Sequence, residues 1–262
     1  MARQKKTKRP KKRVVLFIVE GRSDMAALER PIQTMLEDNA LGIQATFLIA
    51  DCDVTSDRRN NPENIEQKIN RFYFEPFFSA NEFCYPKDIM EVVHICDLDG
   101  TFIPDANCRA FDETHKADDG FIYEPPYIYG ETAEAVQERN HNKAANIRHL
   151  LSLPTIKVGS KTCPYSVYFF SSNIDHYLHD KLNLLGHEKI SKAEDFADKC
   201  EADPEWFTRR LCNHAQALKD MTLEESWKYI MEDCNSVKRH TNFNLYINDL
   251  VARLAEAQTE EE

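Results

Sequence analysis

The chain alternates between compact apolar runs and stretches with helical periodicity. Residues 14–19, VVLFIV, are an unbroken, β-branched-rich run, which predicts a strand buried on both faces. Glu20 and Gly21 end it. Ser23 or Asp24 then caps a helix over 25–39, where Met25, Leu28, Ile32, Met35 and Leu36 recur at helical spacing. Pro31 predicts a kink or restart inside that helix. A second strand is expected over 45–50, ending in Asp51 and Asp53. After a polar loop, TSDRRNNPEN, a second helix begins at Asn61-Pro62 and runs through Ile65, Ile69, Phe72, Tyr73 and Phe77. Residues 91–96 form a third strand. Residues 101–132, rich in Asp, Pro and Tyr, are too long for an ordinary connection and read as an inserted loop or lid. A helix over about 140–151 and a fourth strand over 165–170 follow. The stretch IDHYLHDKLNLL then looks helical, and so does 192–257, with breaks near Asp203-Pro204 and at 220–222.

Strands alternating with helices predict an α/β fold, a Rossmann-like parallel sheet flanked by helices with a C-terminal helical extension. The expected organisation is a disordered basic arm at 1–13, an α/β domain at 14–182 with an insertion at about 101–135, and a helical extension at 183–262. The arm contains Lys5, Lys6, Lys8, Arg9, Lys11, Lys12 and Arg13 and no acid, whereas the remaining chain has 25 basic against 44 acidic residues. A basic arm on an acidic body suggests contact with a polyanion such as nucleic acid; a merely solubilising tail is the alternative. The eight cysteines include no CxxC pair, which argues against a zinc ribbon and fits free thiols. No apolar run is long enough for a membrane span, and the expected location is cytoplasmic.

In a parallel sheet the reactive edge is the carboxyl end of the strands, and the acids collect there. Glu20 and Asp24 follow the first strand; Asp97, Asp99 and Gly100 end the third. Asp97 and Asp99 are two residues apart, so a regular strand would point both to one face. Carboxylates this close need a cation or a raised pKa, and hard oxygen ligands suit Mg²⁺ or Mn²⁺.

The pair VEGRSD and CDLDG resembles the Toprim domain of topoisomerases, primases, recombination proteins, overcoming-lysogenization-defect nucleases and small RNA-maturing ribonucleases, over roughly residues 14–175. The resemblance implies a Toprim-like sheet and Mg²⁺-dependent phosphodiester chemistry. It makes Glu20, Asp97 and Asp99 the catalytic residues, with Glu20 as general acid/base or ligand, and adds Asp24 as a metal ligand. The stretch YSVYFFSSNIDHYLHDKL is similar to a segment of small stand-alone Toprim proteins of bacterial defence systems, such as RloB-like proteins and the Toprim effector of the PARIS system. That similarity makes Asp175 a further metal ligand. Leu98 stands where the RNA-maturing ribonucleases carry proline, and no GxxxxGK[ST] occurs, so an ATPase or sensor would be a separate chain.

Other residues carry weaker signals. His176, next to Asp175, is the best histidine for polarising a phosphate, although packing is the more ordinary role. Asp51 and Asp53 could extend the acidic edge, although loop acids are the more ordinary reading, and Cys96 reads as core. Lys143, Arg148, Lys157 and Lys161 are candidates for phosphate contacts, and the aromatic segment GFIYEPPYIYG for base stacking or a partner surface. The expected function is a metal-dependent endonuclease acting on RNA such as tRNA, or on DNA, in antiphage defence under a partner's control, with a homodimer allowed. The alternative is a non-catalytic regulatory or scaffold subunit.

Overall fold

The computed structural model describes residues 12–37, 39–49, 53–117 and 120–261. Lys5, Lys6, Lys8, Arg9, Lys11 and Asp51 lie outside them. The architecture is α/β. Strands β1 (Arg13–Ile18), β2 (Ile43–Leu48), β3 (Ile89–Asp97), β7 (Thr155–Val158) and β8 (Lys161–Phe170) form one sheet in the order β2-β1-β3-β8-β7. The first four in that order run parallel; β7 is an antiparallel edge joined to β8 through Gly159, whose φ is +59°. The sequence reading made the sheet wholly parallel and missed β7, a short strand of alternating polar and apolar residues.

Both faces of the sheet are covered, because successive side chains of each strand point to opposite sides. Val14, Leu16 and Ile18 of β1 lie in one core with helix α2 (Ile65–Ile69), helix α3 (Glu75–Ala80), helix α4 (Ala133–Leu151) and helix α8 (Leu223–Ile230). Val15, Phe17 and Val19 pack with α1 (Arg22–Met35), α5 (Ile174–His179), α6 (Gly186–Ala202), α7 (Pro204–Cys212) and α9 (Phe243–Glu261). The C-terminal helices therefore share the core of the sheet. Phe243, fully buried, stacks on Tyr246 and meets Phe17 edge-on. Pro31 does not break α1: Leu28 and Ile32, both fully buried, hold the helix on the sheet, so packing outweighs the lost hydrogen bond.

The insertion is not irregular throughout. Strands β4 (Cys108–Ala110), β5 (Ile122–Glu124) and β6 (Tyr127–Gly130) form a three-stranded sheet, closed over Ile103, Ile128, Val136 and Val237. Helix α4 starts seven residues earlier than its apolar periodicity suggests, capped by the Thr132 hydroxyl, which accepts from the Ala135 N–H at 3.0 Å. Much of its buried face is polar, with Arg139, Asn140, Lys143 and Asn146 all below a tenth exposed. After β2 the chain crosses back over β1 to build β3, so the switch of winding direction falls between β1 and β3, where α/β sheets open a crevice at the carboxyl edge.

Candidate metal centre

Three carboxylates meet at that crevice, one from beyond each of β1, β2 and β3. Oxygens of Glu20, Asp53 and Asp99 all lie within 4.8 Å of one another. Between them sits Lys143, brought down from α4 with no exposed side-chain surface. Its Nζ donates to Asp53 Oδ2 at 2.8 Å, to Asp99 Oδ2 at 2.8 Å and to Glu20 Oε1 at 3.4 Å. Asp53 is gripped from its other side as well: the Thr55 hydroxyl donates to Oδ1 at 2.6 Å and the Thr55 N–H at 2.7 Å.

Backbone geometry sets Asp99. Strand β3 ends at Asp97, although the N–H groups of Leu98 and Asp99 still donate to Phe170 O and Ser172 O at 2.9 and 2.7 Å. Asp99 (φ +48°) and Gly100 (φ +68°) are then both left-handed, a region that Asp tolerates and Gly favours. A Cβ on Gly100 would stand 2.4 Å from both Ile128 Cδ1 and Val237 Cγ1. This turn corrects the expectation that Asp97 and Asp99 share a strand face. Asp99 swings to Lys143, while Asp97 Oδ1 accepts from Ile174 N at 3.0 Å, at the start of α5.

Asp97 stands between that cluster and Asp24, feeling Asp24, Asp99, Lys189 and Lys143 together. Asp24 closes the turn after β1, accepting from Gly21 N at 2.9 Å. Asp175 is almost wholly buried, and Lys189 Nζ stands 3.5 Å from its Oδ2, an oxygen that has no hydrogen bond. Of the residues predicted as ligands, the structure brings Glu20 and Asp99 together with Asp53, and Asp24, Asp97 and Asp175 lie outside that group.

The electrostatics follow from burial and crowding. Burial raises Glu20 well above the usual carboxyl range, and Asp53 adds to the shift while Lys143 opposes it. Asp97 is also held high, by burial, then by Asp24 and Asp99. Burial pushes Asp24 up to about 6, against the Gly21 N–H and Lys189, with Asp175 adding repulsion. Asp53 behaves oppositely: burial works against its charge, but Lys143, Ser56 and Thr55 hold its carboxyl low. Burial would also discharge Lys143, and Asp53, Asp99 and Glu20 reverse that.

These residues fit a hard divalent cation. Their donors are oxygens, acids outnumber the cations Lys143, Lys189 and Arg139, and Asp175 Oδ2 is buried without a hydrogen bond. The remaining predicted residues lie elsewhere. Arg13 opens β1 at the opposite edge of the sheet, where its guanidinium donates to Leu41 O, and Lys12 N donates to Asp88. Lys161 bonds to Ile89 O at that same edge, Arg148 covers the Phe102 ring, and Lys157 is exposed on β7. His176 pairs with the Ser172 hydroxyl at 3.2 Å and is pushed down to about 4 by burial and by Arg239, so it stays neutral. Cys96 is buried in the core. Sequence reasoning undervalued Asp53 and Lys143. The available signal was positional, since Asp53 follows β2 as Glu20 follows β1.

Comparison with known protein families, with curated proteins and with solved structures found no match for this chain.

Proposed function

We propose that the chain is a divalent-cation-dependent nuclease of Toprim type, hydrolysing phosphodiester bonds in RNA such as tRNA or in DNA. The observation that carries this reading is the convergence of Glu20, Asp53 and Asp99 at the tips of three neighbouring parallel strands, at the switch point of the sheet. These three would hold one Mg²⁺ or Mn²⁺, with Asp24, Asp97 and Asp175 as a second set of ligands. When bound, such an ion polarises a phosphoryl oxygen and lowers the pKa of water. Glu20, whose carboxyl burial raises above the usual range while no cation is bound, would be either a ligand of that ion or the group that passes a proton to the leaving oxygen. Lys143 fixes Asp53 and Asp99 through two hydrogen bonds of 2.8 Å each. Antiphage defence under the control of a separate ATPase or sensor belongs to the same proposal.

One observation favours a second reading. Lys143 already supplies the cluster with an internal cation, as a non-catalytic scaffold would require. Incubation of total tRNA and of plasmid DNA with Mg²⁺ or Mn²⁺ separates the two. The nuclease reading expects metal-dependent cutting that falls at least about a hundredfold in Glu20→Gln and in Asp99→Asn, the scale of losing a transition-state electrostatic group. Cutting that survives both substitutions overturns it, and a folded wild type that cuts neither substrate is either the scaffold or an effector silenced until its partner acts.

A further inference from the structure

Arg139 lies one helical turn before Lys143 on the same side of α4, so the helix carries two buried cations at i, i+4. Lys143 is saturated by carboxylates. Arg139 is not. Its side chain is 7% exposed, and its Nη1 stands 3.9 Å from Asp99 Oδ2, beyond hydrogen-bond distance. Its Nε and Nη2 are buried, and neither has a hydrogen-bond partner. The guanidinium carbon lies 4.5 Å from the centroid of the Phe121 ring. One face of the group is therefore covered by an aromatic ring while a two-donor edge is left unused. Leaving a buried donor unpaired costs about 1–3 kcal/mol, more for a charged group. Orphaned donors of this kind mark places where a ligand completes the set. The donors of a guanidinium form a rigid fork that matches two oxygens of one phosphate.

We propose that Arg139 is a phosphate-binding residue, its Nη1 turned to Asp99 and its opposite, Nε–Nη2 edge taking two oxygens of a substrate phosphate. The inference rests on the nuclease reading above. It also explains the roof over the site. Phe121 and Tyr123 come from the inserted sheet, and the Tyr123 hydroxyl donates to Asp99 Oδ1 at 3.3 Å. The backbone of Tyr123 is bracketed by the amide of Asn183: Tyr123 N donates to Oδ1 at 2.8 Å and Asn183 Nδ2 donates to Tyr123 O at 2.9 Å. Asn183 is itself left-handed, at φ +57°. These two bonds tie the insertion across the site to the segment between α5 and α6. Phosphate reaches Arg139 when this clasp releases and the ring of Phe121 moves off the guanidinium.

The test uses the full chain with Ca²⁺ as a non-cleaving cation. Fluorescence anisotropy reads binding of labelled single-stranded RNA and DNA dodecamers to wild type, Arg139→Gln, Arg139→Lys and Asn183→Ala. Inorganic phosphate is titrated separately by calorimetry. Arg139→Gln is expected to weaken oligonucleotide binding at least tenfold while the melting temperature stays level or rises, since two buried unpartnered donors have been removed. Arg139→Lys keeps the charge but not the two-donor edge and falls between. Asn183→Ala is expected to speed association. Unchanged oligonucleotide affinity in Arg139→Gln, with wild type still cutting, overturns the role of Arg139 and leaves the nuclease reading standing. A melting temperature that falls with the affinity, with equal loss in the lysine variant, makes Arg139 structural and also overturns it. Loss confined to inorganic phosphate assigns the edge to a free phosphate and overturns the substrate role. A wild type that neither binds nor cuts nucleic acid removes both readings together.

Discussion

Replacing Lys143 by Met keeps much of the volume of the side chain and deletes the charge that three acids share. The two shortest contacts of Nζ, each 2.8 Å, disappear, and Glu20, Asp53 and Asp99 are left facing one another within 4.8 Å. At an effective dielectric of about 20, two carboxylates at 4.8 Å repel by about 3.5 kcal/mol. Glu20 relieves part of this by keeping a proton, so the expected loss is that of a broken buried ion pair, about 3–5 kcal/mol. For a chain of this size each kcal/mol moves the melting temperature by about 2–4 °C, so the midpoint should fall by about 10 °C in EDTA. A cation that binds the folded cluster at a hundred times its dissociation constant returns about 2.7 kcal/mol. Mg²⁺ should therefore stabilise Lys143→Met more than it stabilises wild type. The assay is thermal unfolding of both proteins by circular dichroism, in EDTA and in excess Mg²⁺. A variant that melts within 2 °C of wild type in EDTA would refute the assignment of Lys143 as the charge that holds the cluster. A variant that falls as expected but gains nothing from Mg²⁺ would refute the cation site.

Three further predictions address the site and its support. Because Asp24 titrates at about 6, and Glu20 and Asp97 are raised too, protons compete with a cation for these oxygens; Mn²⁺ affinity should rise from pH 5 to pH 8, by up to about tenfold per unit for each proton displaced, and a flat profile by titration calorimetry would contradict those shifts. Gly100→Ala adds a Cβ 2.4 Å from Ile128 and Val237 at a positive φ and should cost about 2–4 kcal/mol in urea unfolding, with a change under 1 kcal/mol contradicting the packed turn. Phe243→Ala should cost about 3–5 kcal/mol, and a smaller loss would mean that α9 is not part of the sheet's core.

The parts of this fold legible in the sequence are those written in apolar periodicity. Residues Val14 to Val19 are apolar without interruption because both faces of β1 are covered, so the strand and the acid at its tip could be read together. Lys143 left no such trace. Its burial depends on partners 44, 90 and 123 residues away, and the stripe of α4 that carries it is polar, so the helix was read only from residue 140 onward. The separation of Asp97 from Asp99 was hidden for a different reason. Spacing by two implies a shared face only while the strand continues, and here a left-handed pair, Asp99 and Gly100, intervenes. The clasp between Asn183 and Tyr123 joins an exposed amide to a backbone 60 residues distant and has no local signature.

The chemistry of the site depends on one step, the capture of a divalent cation by the acids at the tips of β1, β2 and β3. Titration calorimetry with Mn²⁺ at pH 8 on wild type, Glu20→Gln and Asp99→Asn tests that step directly. Wild type is expected to bind saturably and each variant at least tenfold more weakly, with all three proteins folded. Absence of Mn²⁺ binding by wild type, or equal binding by all three, would contradict that capture.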